Sequence, residues 1–287
     1  RLSFVLFITL LLAVVSVSFG TIIYSADSND TEKEPKDAVS KTSNLSSILS
    51  NNPLLNSKKS ITQNFALSPS SVFTVNNSGD SNDITPGDGI CLDTSGNCTL
   101  RAAIQEANAT AGIDEIIFSL PTPTTIYLNG DDLIISEGVT IKGPGARLLS
   151  VTVSSGPGAR SAESSENTSS LLKINTPTSV TTTVTGMTIS NSQGVGINNA
   201  GRLNLSDVVL SGSQTGIYNN GRLNLNRTLI RNNSPGGGIF LTADSTTNIS
   251  NTTITNNSSS NHGAGIYSLS DDVTFNNVTI SNNTAAT

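Results

Sequence analysis

In the second half of the chain, apolar residues return at fixed places within a repeating frame. Five segments can be aligned: TTTVTGMTISNS (181–192), RLNLSDVVLSGS (202–213), RLNLNRTLIRNN (222–233), TTNISNTTITNN (246–257) and DVTFNNVTISNN (272–283). One shared apolar position holds Val184, Leu205, Leu225, Ile249 and Phe275, and a second holds Ile189, Leu210, Ile230, Ile254 and Ile280. Glycine-rich links (GVGINNAG, GIYNNG, GGGIF and GAGIY) separate the segments and add a third, Ile197, Ile217, Ile239 and Ile266. Successive segments begin 20 to 26 residues apart. That period, with short alternating runs broken by turn residues, predicts a solenoid. A single coil cannot bury its apolar row; stacking coils about 4.8 Å apart turns like residues into continuous ladders. Leucine-rich repeats have a similar length but need a Leu-x-x-Leu-x-Leu frame and a recurring helix, whereas Asn, Thr and Gly prevail here. The expected fold is an all-β, right-handed parallel β-helix, the hand following from the dominance of right-handed crossovers between parallel strands.

The asparagines between the apolar runs form several Asn-x-Ser/Thr sequons, which in a eukaryotic secreted protein are glycosylation candidates. At β-helix turns Asn serves differently: it tolerates left-handed backbone and stacks amide on amide. The turn role is the expected one.

Upstream the pattern changes. Residues 1–23 carry one long apolar run followed by small residues, the layout of a signal peptide or an uncleaved signal anchor. Residues 24–70 are polar and without period, and read as a disordered stalk. Order is expected over 71–287, with 71–112 as an N-terminal cap and 181–287 as the clear repeats. Within the cap, CTLRAAIQEANA (98–109) has helical spacing. Leu100, Ala103, Ile104 and Ala107 make one apolar face, Thr99 is a plausible N-cap, and Arg101, Gln105, Glu106 and Asn108 are expected to face away. A solenoid exposes apolar core and open strand edges at its ends, so this helix is expected to lie over the first coils as a lid.

Composition narrows the function. Charged residues make up 13% and the net charge is −6, with Lys and Arg scattered, so no nucleic-acid partner is expected. The two cysteines, Cys91 and Cys98, flank LDTSGN, and a single histidine, His262, lies in a turn. Two cysteines are too few for a zinc site of their own, and they are either a redox pair or a structural disulfide. The turn chemistry of Ser95, Gly96 and Asn97 favours the disulfide, contributing about 2.5 kcal/mol by loop closure and implying an oxidising compartment. The chain opens without Met and stops at Thr287 just after a strand signal, so flanking residues are expected. Membrane attachment would run through the N-terminal segment or through an anchor beyond Thr287.

The stretch FTVNNSGDSNDITPGDGICLDTSGNCTLRAAIQEANA resembles the bacterial domain named for its Cys-Ser-Leu-Arg-Glu-Ala signature. Thr99 stands for the signature Ser and Ala102 for its Glu. VTIKGPGARLLSV is similar to the strand and turn that follow in that family, so the likeness spans roughly 71–153. The later repeats resemble pectin-lyase-like β-helices and, more loosely, polymorphic outer-membrane proteins. These resemblances imply a secreted or cell-surface protein, with the outer membrane as one location and adhesion as its suspected role.

A glycan-cleaving β-helix would need acidic calcium ligands beside a base, or a carboxylate pair. The coil carboxylates Asp207, Asp244, Asp271 and Asp272 show no in-register pair. Arg202 and Arg222 share a register and, with Asp271 and Asp272, are candidate ligand contacts. Asp80, Asp83 and Asp88 form an acidic loop that is a candidate calcium site without EF-hand spacing; no other cofactor is expected. The expected function is structural or adhesive, presenting a repeat face to a surface glycan or protein. The alternative is a polysaccharide lyase or glycoside hydrolase of the pectin-lyase-like fold, degenerate or incomplete.

Overall fold

Short alternating runs become strands of mostly three to five residues, and successive coils place them side by side. The computed structural model describes the backbone of residues 16–18 and 21–23, and residues 71–129, 131–154, 169–190, 192–261 and 263–286. Ser16–Ser18 and Thr21–Ile23 pair antiparallel. The rest of the expected leader or anchor, the whole stalk, and His262 lie outside the described residues.

From residue 71 onward the described residues form a parallel β-helix with three sheet faces of eight, seven and six strands. Each aligned segment supplies one strand to the first sheet and one to the second, and each glycine-rich link supplies one to the third. In the coil beginning at residue 202 these are Arg202–Ser206, Val209–Ser211 and Thr215–Asn219. The expected apolar positions stack in register. Phe73, Ile116, Ile141, Val184, Leu205, Leu225, Ile249 and Phe275 form the inward row of the first sheet. Ile126, Val151, Ile189, Leu210, Ile230, Ile254 and Ile280 form that of the second, and Leu133, Leu172, Ile197, Ile217, Ile239 and Ile266 that of the third. All are buried except the last member of each row: Phe275 and Ile280 are exposed and Ile266 is half-buried. Each fully buried Leu or Ile contributes about 1.5–3 kcal/mol.

Two backbone demands explain the rest of the repeat. The turns between first- and second-sheet strands hold Asp207, Arg227, Asn251 and Asn277 at φ of 48–57°, and those after second-sheet strands hold Asn232, Asn256 and Asn282 at 54–56°. Asn is the L-residue that visits this region most readily, which accounts for its recurrence. In the links, a Cβ on Gly216 or Gly238 would lie 2.5 Å from the carbonyl oxygen of Gly238 or Gly265 in the next coil. The Gly-Ile pair recurs because only glycine allows that approach.

Buried amides seal the corners. Asn233 Nδ2 donates to Asn257 Oδ1, and Asn257 Nδ2 to Asn283 Oδ1, each at 2.9 Å, while the same oxygens accept backbone N–H groups. Asn199 donates to Asn219 at 2.7 Å, and Asn219 to the Thr247 hydroxyl at 3.0 Å.

The cap is built on other lines. Its helix spans Leu100–Ala109, with Thr99 accepting from the Ala102 N–H at 3.0 Å as N-cap. Leu100, Ala103, Ile104 and Ala107 are buried, and Leu100 and Ile104 adjoin Leu133, Ile141 and Val151 of the first coils. Asn108 ties the helix to the third sheet, donating to Ile134 O and accepting from Ser136 N. Cys91 and Cys98 are bonded to each other, with Cα atoms 5.1 Å apart. The expectation that Arg101 and Glu106 face solvent is corrected: they are 9% and 0% exposed. Loops cover the helix face that periodicity assigned to water. Arg101 holds Asp80 through Nε at 2.8 Å and reaches the carbonyl oxygen of Asp131. Glu106 accepts the N–H groups of Gly87 and Gly89 at 2.8 and 3.0 Å, so the Pro-Gly-Asp-Gly turn closes over it.

Candidate ligand-binding face

The outward residues of the first sheet form polar rows, because alternation sends every second side chain away from the core. One row runs Asn204, Asn224, Asn248 and Thr274. Asn224 donates to Asn204 at 2.8 Å and Asn248 to Asn224 at 2.9 Å, and the Thr274 hydroxyl donates to Asn248. A neighbouring row holds Arg202, Arg222 and Thr246. The Thr246 hydroxyl donates to Asp272 at 2.9 Å in the next coil. Between these rows lies a groove of about 220 Å³ lined by Arg202, Arg222, Asn224, Thr246 and Asn248.

The structure therefore brings Arg202, Arg222 and Asp272 to one side of the sheet. Asp271 precedes Asp272 in an exposed bend. Arg222 is exposed, and Arg202 is half-buried with its Nε buried and without a hydrogen-bond partner. Two other cations on the coils are compensated. Arg227 grips Asp207 through two bonds of 2.7 Å, and Lys142 pairs with Glu115. The Arg227 hydrogen bond holds the Asp207 carboxyl below the usual carboxylate range.

The acidic loop engages protein groups. Asp80 accepts from Arg101 and from Asn129 N, Asp83 from Thr85 N and Leu92 N, and Asp88 from Ile90 N. Among the described residues, no group of three or more His, Cys, Asp or Glu side chains converges in a way that could hold a metal ion.

Sequence reasoning passed over a third row. On the third sheet Asn198, Tyr218, Phe240 and Tyr267 stand in register. Tyr218 and Phe240 stack with centroids 5.0 Å apart and planes within 5°, and Tyr267 is tilted on Phe240 at 5.2 Å. The residue after each of the last three link isoleucines carries this signal. The rings cover one another's faces, so the row stiffens the sheet and leaves little flat aromatic surface for a sugar.

No family model matches the chain, and a search of curated proteins finds no match. Among solved structures, the crystal structure of pectate lyase Pel9A is similar over 67% of this chain and 49% of that one, with a TM-score of 0.45 and 13% identity. The chain thus spans about half the length of that structure.

Proposed function

We propose that this chain is an exported, secreted or surface-displayed β-helix with a structural or adhesive role, and that it meets glycan or protein ligands through the outer face of its first sheet. The observation that carries the reading is the row Asn204, Asn224, Asn248 and Thr274 beside the Arg202–Arg222 groove. In each internal bond one amide N–H is used, leaving the second N–H of Asn224 and Asn248 for a ligand. A row repeating at coil spacing suits an extended polymer, with affinity summed over several shallow contacts. The likeness to the signature domain and to outer-membrane proteins supports export. Two of the coil carboxylates have protein partners: Asp207 is held by Arg227, and Asp272 accepts from Thr246.

Purified chain tested on a polysaccharide panel and on immobilised surface proteins checks the reading. Binding without cleavage products, weakened by N224A/N248A, is the expected result. Unsaturated or reducing-end products that vanish in D271N, D272N or R222Q would overturn it in favour of an enzyme.

A further inference from the structure

We infer that the Arg202–Arg222 groove is an oxyanion site, taking a tetrahedral ester group, sulfate or phosphate, carried on a glycan. The inference rests on the proposed glycan-contact reading and names the chemistry of its ligand. Four observations carry it. First, the two arginines lie directly in register on adjacent parallel strands, so their guanidinium groups rise from backbones about 4.8 Å apart. Like charges so placed repel, and the arrangement costs stability unless an anion joins them. Second, that anion is missing from the protein side. Neither arginine forms an ion pair among the described residues, whereas Arg227, Lys142 and Arg101 each do. The carboxylate of Asp272 belongs to the coil beyond Thr246 and accepts the Thr246 hydroxyl.

Third, Arg202 Nε is buried without a partner, and such a donor gains most from an acceptor brought by a ligand. Fourth, the groove between the arginines and the asparagines has donors facing it: two guanidinium groups and the spare amide N–H groups of Asn224 and Asn248. A carboxylate has two oxygens in one plane, so two guanidinium groups and an amide would have to share them. A tetrahedral ester offers three terminal oxygens, enough for one from each arginine and one from an asparagine amide. The chain as a whole carries −6, so a polyanion is repelled in general and held only at a local positive feature.

Binding of the full chain to dextran sulfate, a phosphorylated mannan, polygalacturonate and neutral dextran tests this, with melting temperature recorded for every variant. Dextran sulfate or phosphomannan should bind at least tenfold more tightly than polygalacturonate, and the stronger of the two identifies the ester. R202Q and R222Q should each lower that affinity about tenfold or more. R202K/R222K should recover only part of it, because lysine keeps the charge and loses the fork. R231Q removes the same charge from the second sheet and should bind as the parent does. The exposed R222Q variant should melt no lower than the parent, since it relieves a like-charge pair, so its loss of binding would not reflect unfolding. Equal binding by the parent and by R202Q and R222Q, preference for polygalacturonate, or no binding to either ester polymer overturns the inference. Adhesion to neutral dextran or to surface protein that survives those outcomes would leave the broader reading standing, and its absence would remove that as well.

Discussion

The cap and the coils bury polar groups in opposite ways. Among the described residues, the buried charged residues are Asp83, Asp93, Arg101, Glu106 and Asp114, joined by the side chain of Asp80, all before the first full coil closes. From residue 152 onward every buried polar residue among those described is Thr, Ser or Asn. Stacking supplies the reason. An interior row repeats its residue every coil, so a buried charge would sit against its own copy. A neutral amide is self-complementary: its carbonyl accepts what the next amide donates. The cap occurs once and has no copy above it, so it can use an ion pair and a caged carboxylate. The Arg202–Arg222 pair breaks this rule on the outside of the helix.

The sharpest way to break the contrast is to unpair the cap. Arg101→Ala leaves Asp80, whose side chain is 4% exposed, without its cation. Removing one partner of a buried pair costs about 3–5 kcal/mol. Urea unfolding should show a loss of that size, with proteolysis appearing first near residues 115–155 and later in the repeats; unchanged unfolding would place Asp80 in water. Ile104→Asp should open the same region by setting a charge against the apolar core.

In the coils the matching experiment is Asn257→Ala. The amide serves Asn233 on one side and Asn283 and the Ile230 carbonyl on the other. Its removal strands several buried groups, and a cost of about 2–3 kcal/mol is expected in denaturant titration. Hydrogen exchange should rise in the flanking coils and stay low in the cap. If exchange rises evenly along the chain, the coils do not stabilise one another as near neighbours.

Removing the crosslink should come next. C91S/C98S is expected to lose about 2.5 kcal/mol, by loop-closure reasoning for so short a loop. The parent in reductant should match it. A parent that keeps its full stability in reductant would mean the loop is held by Asp93, which accepts from Ser95 N and Asn97 N.

The smallest effect is in pH dependence, and it has opposite signs in the two regions. Burial pushes the Glu106 carboxyl above its ordinary value, against the pull of the Gly87 and Gly89 N–H groups. The folded cap therefore holds that proton more tightly than the unfolded chain, and its stability falls as pH rises from about 4.5 through the raised value. The hydrogen bond from Asn97 N lowers Asp93 in the same cap, so the Glu106 effect is isolated by comparison with E106Q. The parent should lose stability relative to E106Q as pH rises across that window. Asp207 is lowered, so its contribution is present above the unfolded value near 3.8 and lost as pH falls through the folded one. D207N should flatten that acid-side loss, and salt should weaken it. A parent and E106Q that run parallel from pH 4 to 8 would show the Glu106 cage to be hydrated.

The same difference explains what could be read from the chain. Rows such as Val184, Leu205, Leu225 and Ile249 were legible because a solenoid repeats its core in sequence, and so was the Arg202–Arg222 register. The asparagine turns were legible for the same reason. The fates of Arg101 and Glu106 were not. Their partners lie 17 to 30 residues away in loops without period, and helical spacing assigns a charge to water by default. The aromatic row was visible after the last three link isoleucines, but a reading that followed only inward residues passed over it. Asn224, Thr246 and Asn248 were missed as groove residues for a related reason: alone each looks like ordinary strand polarity, and only stacking sets them beside the arginines.

The amide rows also run in opposed directions. In the interior, the amide-to-amide bonds run from Asn199 to Asn219, Asn233 to Asn257, and Asn257 to Asn283, toward the later coil, while Asn257 and Asn283 also donate back to the Ile230 and Ile254 carbonyls. On the surface, Asn224 donates to Asn204, Asn248 to Asn224, and Asn277 to Asn251, always to the earlier one. An α-helix aligns its peptide dipoles and gathers partial charge at its ends. Here the inner and outer side-chain dipoles point against each other along the axis, so their axial fields subtract. The stack can lengthen coil by coil without these rows adding end to end as helix peptide dipoles do, and an ion at the face meets the arginines together with the adjacent Asn224 and Asn248 amides.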